Sequence, residues 1–478
     1  MPYTMPRIVV SALSGGSGKT MLSVGLARAL TRRGLRVQCF KKGPDYIDTL
    51  WASLASGLPP RNLDPFMSPP GSLPRIFRSA CQNLSPAPDL AIIEGNRGLF
   101  DGLDLAGSCS TAELARQLGA PVLLAVNCTK MTRTTAALVK GCKDFEEDLN
   151  IGGVVLNQVT RGRHRAIVTE AVEILAATPV LGVVPRLPVP PFEERYSGLL
   201  AGEALRAGPE SFARLDDLAD LIEASVDLDA VLAMARSAPP LELPDFAPCS
   251  GPSPASAPGR AARPRIGYAR DQALWFYYTE NLEALEAAGA ELVPVALLCG
   301  ADWPDLDGLY LGGGTPEDYL AELAAGAGRK ELLRAMVERG QPVYAEGGAL
   351  YYLGREVRKG GASYPMAGIF DYSVEITPAP QGLGYVQGRV EAPNPYHPAG
   401  AALRAHEFNY ARLTMPESLL ASALIRLDKG LGLGRAQGAN WDGLLKNNCY
   451  ASSLQVYAPG APDWAANFVR LAGQMARR

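Results

Sequence analysis

The stretch Ala12-Leu13-Ser14-Gly15-Gly16-Ser17-Gly18-Lys19-Thr20 decides the fold of this chain. It follows a short apolar run at residues 8–10 and precedes a segment in which Leu22, Leu26 and Leu30 recur at helical spacing. A strand, a glycine-rich turn and a helix in this order are typical of a phosphate-binding loop, because backbone N–H groups and the positive helix end face the ligand. In such a loop Lys19 neutralises phosphate charge and the Thr20 hydroxyl holds Mg²⁺. The predicted nucleotide-binding residues are Ser14, Gly15, Gly16, Ser17, Gly18, Lys19 and Thr20.

This loop departs from the usual motif at its first glycine. The common spacing requires glycine where Leu13 stands, and a spacing one residue longer requires it at Ala12. A plain turn between strand and helix is the alternative. The position of the loop directly after an apolar strand favours the nucleotide site.

Length and composition describe an ordinary globular protein. The 478 residues predict two or three domains, and 47% apolar with 20% charged residues gives enough apolar chain for a buried core in each. A formal net charge of −3 argues weakly against a nucleic-acid partner.

Cysteine and histidine usage favours a reducing cytoplasm and disfavours a histidine-built metal site. The eight cysteines include no C-x-x-C pair, and there are three histidines. The first strand begins near residue 8, which leaves no room for a signal peptide, and no apolar run reaches the length of a membrane span. We therefore expect a cytoplasmic protein without a membrane partner.

The first third of the chain predicts a parallel sheet. Short, almost wholly apolar runs alternate with helix-like segments, as in sheets covered by helices on both faces. Ligands of such sheets bind at the carboxyl ends of the strands, so the polar residues that follow each run are functional candidates. The predicted strands are residues 8–10, 36–40, 89–93, 121–127 and 151–157.

Acidic side chains follow two of these strands. Asp45 and Asp48 come after the second run, and Glu94 and Asp101 after the third. Carboxylates beside a phosphate site are expected where Mg²⁺ lies between them, since like charges would otherwise repel. The alternative is that the aspartates form turns and helix caps. Together with Lys19 and Thr20, the functional interpretation is favoured.

At these residues the chain resembles the cobyrinate a,c-diamide synthase family, and the resemblance covers nearly the whole sequence. In the first half it is carried by the specific hexapeptide Gly43-Pro44-Asp45-Tyr46-Ile47-Asp48, by Asn62-Leu63-Asp64-Pro65, and by Glu94-Gly95 with Gly98-Leu99-Phe100-Asp101-Gly102. In the second half it is carried by Ala269-Arg270-Asp271, Phe276-Tyr277-Tyr278, Asn281-Leu282, Gly312-Gly313-Gly314, Pro316-Glu317 and His406-Glu407-Phe408.

The resemblance implies an α/β protein with two domains. The first is a P-loop parallel-sheet domain like that of dethiobiotin synthetase, at residues 1–236. The second, at residues 265–478, is a class I glutamine-amidotransferase-like α/β domain. Residues 237–264 are rich in Pro, Ala and Ser and predict a linker, because such a stretch buries too little apolar surface to become ordered. Before it, residues 215–235 predict a pair of short helices.

The family activity implied is ATP-dependent amidation of peripheral acetate carboxylates of a tetrapyrrole through an acyl phosphate. In this interpretation Thr20, Asp45 and Glu94 either bind Mg²⁺ directly or hold the groups that bind it. The catalytic residues are Lys19, Asp45, Asp48 and Asp101, of which Asp48 and Asp101 position substrate or ammonia. Basic side chains that could pair with substrate carboxylates are Lys41, Lys42, Arg97 and Arg195.

The family's glutaminase residues are replaced in this chain. Gly347 stands where the resemblance puts the cysteine nucleophile, and Gln455 and Tyr457 stand at its histidine pair. A thioester requires a thiolate, so glutaminase activity is predicted to be absent and ammonia to come from solution or a separate source. Cys449 is a poor substitute because it lies off the expected turn. Without a nucleophile, Gly312-Gly313-Gly314 is best interpreted as a tight turn.

Two other functions stay open at this point. One is amidation of siroheme for a sulfite reductase, and the other is a nucleotide-dependent tetrapyrrole carrier that performs no chemistry. A ParA-like partitioning role is disfavoured, because that class does not need the loop at residues 43–48. A homodimer is left open. His164 and His397 are predicted to lie on surface loops without a function.

Overall fold

The computed structural model describes residues 3–160, 162–188, 194–195, 198–199, 207–243, 263–298 and 302–476. The chain divides into two units, Met1–Asp245 and Phe246–Arg478. Of the predicted linker, residues 244–262 lie outside the described residues. The segment just before them belongs to the first unit, since the backbones of Tyr3 and Leu241 exchange hydrogen bonds of 3.3 and 2.8 Å.

A seven-stranded parallel sheet forms the centre of the first unit, in the order β3-β2-β4-β1-β5-β6-β7. Five of its strands were expected, because fully apolar runs of this length are typical of strands buried on both faces. The observed strands are β1 Arg7–Ala12, β2 Val37–Lys42, β3 Asn62–Leu63, β4 Leu90–Glu94, β5 Val122–Asn127, β6 Ile151–Val159 and β7 Val180–Pro185, with a short hairpin of β8 Glu194–Arg195 and β9 Gly198–Leu199.

Helices cover both faces of this sheet, and a separate apolar cluster lies under each helical layer. The predicted pair of short helices exists, but the first begins earlier and has 17 residues, because Pro209 suits the first turn of a helix. The helices are α1 Lys19–Arg32, α2 Ile47–Ser56, α3 Leu73–Gln82, α4 Thr111–Gln117, α5 Thr134–Phe145, α6 Arg163–Leu175, α7 Pro209–Ser225 and α8 Leu228–Arg236.

The second unit is built on a six-stranded sheet, ordered β12-β10-β13-β15-β25-β24, in which only the β24–β25 pair is antiparallel. Smaller sheets are ordered β17-β16-β18-β21 and β23-β22-β19-β20-β26, and β11 pairs with β14. The strands are β10 Arg265–Ala269, β11 Leu274–Phe276, β12 Glu291–Val295, β13 Gly308–Leu311, β14 Gly313–Gly314, β15 Val343–Glu346, β16 Glu356–Lys359, β17 Ala362–Pro365, β18 Ser373–Ile376, β19 Gly382–Val390, β20 Ala402–Asn409, β21 Ala411–Thr414, β22 Ile425–Lys429, β23 Trp441–Asp442, β24 Leu444–Lys446, β25 Cys449–Ser452 and β26 Gln455–Val456.

Six helices complete the second unit, and none of the helices within the described ranges of the chain has the length and apolar character needed to cross a bilayer. They are α9 Thr279–Ala287, α10 Leu320–Ala325, α11 Ala327–Glu338, α12 Leu350–Leu353, α13 Glu417–Leu420 and α14 Pro462–Met475. Short 3₁₀ segments occur at Pro316–Asp318, Gly347–Ala349, Leu433–Gln437 and Ala458–Gly460.

His164 lies within α6 instead of in a loop, and two further expectations about local structure were wrong. His397 is buried rather than on the surface, with Nε2 3.2 Å from the Tyr344 hydroxyl, and burial lowers its pKa to about 4. The glycines at 313 and 314 form β14 instead of a tight turn, because they pair with β11. Both differences depend on contacts between residues that are distant in sequence.

Buried Arg7 ties the ends of the first unit together. Its guanidinium donates to the carbonyls of Leu118 at 2.6 Å, Met5 at 2.9 Å and Pro239 at 2.6 Å, and it is fully shielded from solvent. Burial lowers its pKa to about 10, so it stays charged at neutral pH. Three carbonyls thus depend on one side chain.

We expect R7M to lower the free energy of unfolding of the first unit by about 3 kcal/mol, because several buried carbonyls would lose their donors at once. Urea denaturation followed by fluorescence measures the change. The control is R163M, at an exposed position on α6, which should stay within about 0.5 kcal/mol of the parent protein. Equal losses in both variants would contradict this role of Arg7.

Candidate active site

The glycine-rich loop between β1 and α1 has the backbone of a phosphate cradle. Gly16 and Gly18 have φ values of +70° and +96°, a region that non-glycine residues rarely adopt. A Cβ atom at Gly18 would collide with the Asn157 amide, whose Nδ2 donates to the carbonyl oxygen of Ser17 at 3.0 Å. On the other side of the loop nothing lies within 4 Å of a Cβ atom built at Gly15. The loop is therefore held from below by Asn157 and open where a ligand would bind.

Lys19 folds back over this loop. Its Nζ donates to the Ser14 carbonyl oxygen at 2.9 Å. Burial, and then repulsion from Lys41, lower the pKa of Lys19 to about 8. A partly desolvated ammonium with one neutral acceptor is well suited to bind an anion, because phosphate oxygens would supply the missing charge.

A buried cluster of charges lies directly beneath Thr20. Lys41 Nζ, at the end of β2, lies 2.6 Å from Asp48 Oδ2 and 2.6 Å from Glu94 Oε1. The Thr20 hydroxyl donates to the same Glu94 oxygen at 2.6 Å and is 3.3 Å from the same Asp48 oxygen. The carboxyl ends of β2 and β4, the start of α1 and the first turn of α2 thus meet at one point.

The charges in this cluster depend on one another. Burial would lower the pKa of Lys41, but Asp48 and Glu94 raise it above its usual value. Burial also raises the pKa of Glu94, against the opposing effect of Lys41. Removing one partner would leave a buried charge unpaired, which is strongly destabilising.

The two aspartates after β2 make different contacts. Asp45 was expected to hold Mg²⁺, but its Oδ1 accepts the backbone N–H groups of Ile47 at 3.0 Å and Asp48 at 3.2 Å. It therefore begins α2, and burial, followed by repulsion from Asp48, raises its pKa to about 7. Asp48, expected to position substrate, is the aspartate that lies beside Thr20 and Glu94. Asp45 precedes α2 and accepts N–H groups from its first turn, whereas Asp48 lies within the helix and faces Lys41, so the two carboxylates have different partners.

Asp101 lies in the loop after β4, on the surface of the same sheet edge. Its Oδ2 accepts the N–H of Gly98 at 2.8 Å, and the N–H of Leu99 donates to the Ala12 carbonyl at 2.8 Å. The Asp101 charge raises the pKa of Lys19, against the larger effect of burial. Asp101 is thus placed close to the phosphate loop.

The oxygen atoms beneath Thr20 fit a hard divalent cation. One hydroxyl and two carboxylates offer oxygen ligands only, the set that Mg²⁺ prefers when phosphates and water complete its coordination. Within the described ranges no group of three or more His, Cys, Asp or Glu side chains forms a metal site by itself. Thr20, Asp48 and Glu94 are the residues that could hold Mg²⁺ beside a bound nucleotide.

Lys41 was expected to pair with substrate carboxylates. In the structure it pairs instead with Asp48 and Glu94 of its own chain. Lys42 and Arg97, two others of the expected basic set, have no ion-pair partner among the described residues. The side chain of Arg195 lies outside the described residues.

In the second unit, the turn after β15 has the shape of a nucleophile elbow without a nucleophile. Gly347 has a φ of +58° between β15 and the short helix α12. A Cβ atom built at Gly347 would lie 2.6 Å from Gln455 Nε2, and one built at Gly313 would lie 2.5 Å from the same atom. The Gln455 amide therefore fills the space between the elbow and the neighbouring glycine strand.

The buried surroundings hold Gln455 in this position. Its Oε1 is 3.5 Å from Nδ1 of His406, whose pKa burial lowers to about 4. Next along the chain, the N–H of Val456 donates to Glu346 Oε2 at 3.1 Å, and the Tyr310 hydroxyl donates to Glu346 Oε1 at 2.5 Å. Burial raises the pKa of Glu346 to about 8. The neutral histidine and the fixed backbone leave the amide little freedom to move.

Cys449 does not have the environment of a nucleophilic cysteine. It is fully buried in β25, opposite Val343 of β15, and burial raises the pKa of its thiol to about 12. A nucleophilic cysteine needs a lowered pKa and access to substrate. Cys449 has neither property.

Sequence reasoning missed one residue of these sites, Asn157, and did not foresee the contacts of two others, Lys41 and Gln455. Asn157, at the end of a predicted strand, was not recognised as the support of the phosphate loop, although its place at the sheet edge was a usable signal. The pairing of Lys41 inside the protein and the position of Gln455 opposite Gly347 had no local signal. Both arise from contacts between separate elements.

Two family models match this chain. Residues 8–190 match a family model described as the CobQ/CobB/MinD/ParA nucleotide binding domain. Residues 265–458 match one described as the CobB/CobQ-like glutamine amidotransferase domain.

Several curated relatives match over most of their length. A cobyrinate a,c-diamide synthase of Magnetococcus marinus is 40% identical over 98% of both chains. One of Syntrophotalea carbinolica is 40% identical over 85% of this chain and 86% of its own, and one of Dehalococcoides mccartyi is 38% identical over 98% of both. At this identity and coverage, the chain belongs to the cobyrinate a,c-diamide synthase family.

Proposed function

We propose that this protein is an ATP-dependent amide synthase that converts peripheral acetate carboxylates of cobyrinate into amides. The observation that supports this most directly is the cluster of Lys41, Asp48, Glu94 and Thr20 beneath an open phosphate loop. Phosphoryl transfer depends mainly on positioning and on electrostatic stabilisation of the moving charge. The names of the relatives supply the substrate class, and they favour cobyrinate over siroheme and over a carrier without chemistry.

In the first step, a substrate carboxylate oxygen attacks the γ-phosphorus of ATP, the bond to the leaving ADP oxygen breaks, and an acyl phosphate forms. The backbone N–H groups of residues 14–20 orient the phosphates, and Lys19 moves from the Ser14 carbonyl to a phosphate oxygen. Thr20, Asp48 and Glu94 would hold a Mg²⁺ ion, which when bound would neutralise charge on the phosphates. Lys41 keeps the two carboxylates together.

In the second step, ammonia attacks the acyl carbon, the carbon–oxygen bond to phosphate breaks, and the nitrogen releases a proton. Asp101 is exposed at the same sheet edge and has one oxygen committed to Gly98. We assign it to positioning ammonia or substrate. Asp45 contributes by starting the helix that carries Asp48.

We infer that the second unit does not supply this ammonia. Gly347 has no side chain, and the Gln455 amide lies where a side chain at 347 would begin. His406, the histidine next to Gln455, is buried and neutral. The ammonia therefore comes from solution or from a separate source.

The direct test is a mass spectrum of the product formed from cobyrinate, ATP and Mg²⁺. We expect amide products with ammonium chloride and none with glutamine, because thioester formation needs a thiolate. If the nucleotide binds but no product forms with either donor, the proposed synthase activity is refuted. If ammonium chloride and glutamine give equal amounts of product, only the inference that the glutaminase is inactive is refuted.

The fit of Gln455 against Gly347 predicts how glutaminase activity could be installed. G347C alone should lower stability and leave glutamine unused, because the new side chain would collide with the Gln455 amide. The double variant G347C/Q455H removes this collision and places an imidazole next to the new thiol. We expect measurable glutamine hydrolysis in the double variant only, by release of glutamate. Hydrolysis by G347C alone would show that Gln455 does not block the site.

The roles proposed for Asp45 and Asp48 are tested by measuring the Mg²⁺ concentration that the reaction requires. D48N should lower kcat by about 10²–10³-fold and raise the Mg²⁺ concentration needed, since it removes a charge beside Thr20. D45N keeps an oxygen acceptor for Ile47 and should leave the Mg²⁺ requirement unchanged. D144N, exposed on α5, is the control. A raised requirement in D45N but not in D48N would reverse the assignment.

The lowered pKa of Lys19 predicts a pH-dependent affinity for nucleotide. The ammonium form attracts phosphate and is lost as the pH rises through about 8. We therefore expect the Kd of a non-hydrolysable ATP analogue to be constant below pH 7 and to rise by up to about tenfold per pH unit above 8. Calorimetry between pH 6 and pH 9.5 measures it. K19R, which stays charged, should show no such rise, and a constant Kd in the parent protein would contradict the prediction.

A further inference from the structure

Lys42 is a lysine whose side chain is buried and has no partner. Its exposed fraction is 5%, yet within the described part of the chain no hydrogen-bond acceptor or carboxylate lies within bonding distance of its ammonium. The Nζ atom of Lys42 is not fully shielded from solvent. The stem is therefore buried while the charged tip still reaches the solvent.

Lys42 points to the opposite face of the sheet from Lys41. Successive residues of a strand alternate between faces, and here Cys39 packs in the cluster with α1 whereas Phe40 packs in the cluster with α3 and α4. Lys41 accordingly meets the charges under the phosphate loop. Lys42 lies at the same carboxyl edge but away from the nucleotide.

The acidic groups near Lys42 are already engaged. Asp64 Oδ1 accepts the N–H groups of Phe66 and Met67, both at 2.8 Å. The carboxylate of Glu113 accepts from the backbone of Cys109 and, at 2.8 Å, from the Gln117 amide. Burial lowers the pKa of Lys42 by more than the charges of Asp64 and Glu113 raise that pKa. The charge of Arg97 lowers it further. Lys42 thus retains a charge that the surrounding chain does not neutralise.

Arg97 adds a second free cation beside Lys42. It is exposed and has no ion-pair partner among the residues that the structure describes. Its backbone has a φ of +54°, which costs a non-glycine residue about 1 kcal/mol. The neighbouring Asn96 holds the loop, since its N–H donates to the Thr111 hydroxyl at 3.3 Å. Because this hydrogen bond holds the loop, the Arg97 guanidinium stays at the carboxyl edge of the sheet despite its unfavourable backbone conformation.

We propose that Lys42 and Arg97 form a binding site for a carboxylate of the tetrapyrrole that is not the one being amidated. Two unneutralised cations at one sheet edge, on the face away from the nucleotide, fit an anionic side chain of a large substrate. Lys42 and Arg97 are positioning residues, because they hold the macrocycle while a different carboxylate reacts. This inference rests on the proposed function for the identity of the macrocycle.

The test is direct binding of cobyrinate, followed by its visible absorbance in equilibrium dialysis with a non-hydrolysable ATP analogue and Mg²⁺. K42M should raise the Kd of cobyrinate by about 10- to 100-fold, the usual effect of a charge-assisted hydrogen bond. K42R should recover most of the affinity. The Kd of the nucleotide should not change in either variant. K140M, at an exposed position on α5, is the matched control.

Stability without ligand separates a binding role from a structural one. A buried ammonium without a partner destabilises the folded state, so K42M should unfold at the same or a higher temperature than the parent protein. R97G should likewise weaken cobyrinate binding without loss of stability, and A177G is its control because Ala177 has a φ of +46°. A K42M variant that is less stable, or one with unchanged cobyrinate affinity, would overturn the proposal.

A second pair of ligands separates this proposal from the proposed function. The same corrin with all its carboxylates amidated should bind the parent protein and K42M equally. If the parent protein does not bind cobyrinate, the cobyrinate assignment fails, and uroporphyrin, a tetrapyrrole with many carboxylates, becomes the probe. Weaker uroporphyrin binding by K42M would then support the carboxylate site, and equal or absent binding would refute it.

Discussion

The buried ion pairs of Lys41 with Asp48 and Glu94 are the interaction on which the first unit depends. They join the ends of two neighbouring strands to the first turn of a helix, and the Thr20 hydroxyl connects them to the phosphate loop. Desolvated charges are costly to bury, so such a cluster persists only where its geometry is well satisfied. The cluster holds β2, β4, α1 and α2 together at the point where the nucleotide and the substrate carboxylate would meet.

Much of the first unit could be predicted from local patterns, because apolar runs, a glycine-rich turn and the acidic residues after each strand are each encoded within a few positions. The different contacts of Asp45 and Asp48 could not. Both follow the same strand, and only the residue at which α2 begins decides which of them bonds backbone N–H groups and which faces Thr20. Helix boundaries are set by tertiary contacts as well as by sequence.

In the second unit, the sequence revealed which residues were replaced but not what replaced them in space. That Gly347 lacks a side chain is visible in the sequence. That the amide of Gln455, more than a hundred positions later, occupies the vacated volume depends on the pairing of β20 with β26 and on the bond from Val456 to Glu346. Packing between distant segments carries this information, and close packing explains why the space is not left empty.

The fit between Gly347 and Gln455 makes the two positions depend on each other. Each residue is sterically acceptable only because of the other, since a larger residue at 347 meets the amide and a smaller one at 455 opens a cavity beside two glycines. A single substitution at either position therefore costs packing energy, whereas a matched change at both can keep the space filled. The effects of substitutions at 347 and 455 on the free energy of unfolding should accordingly be non-additive.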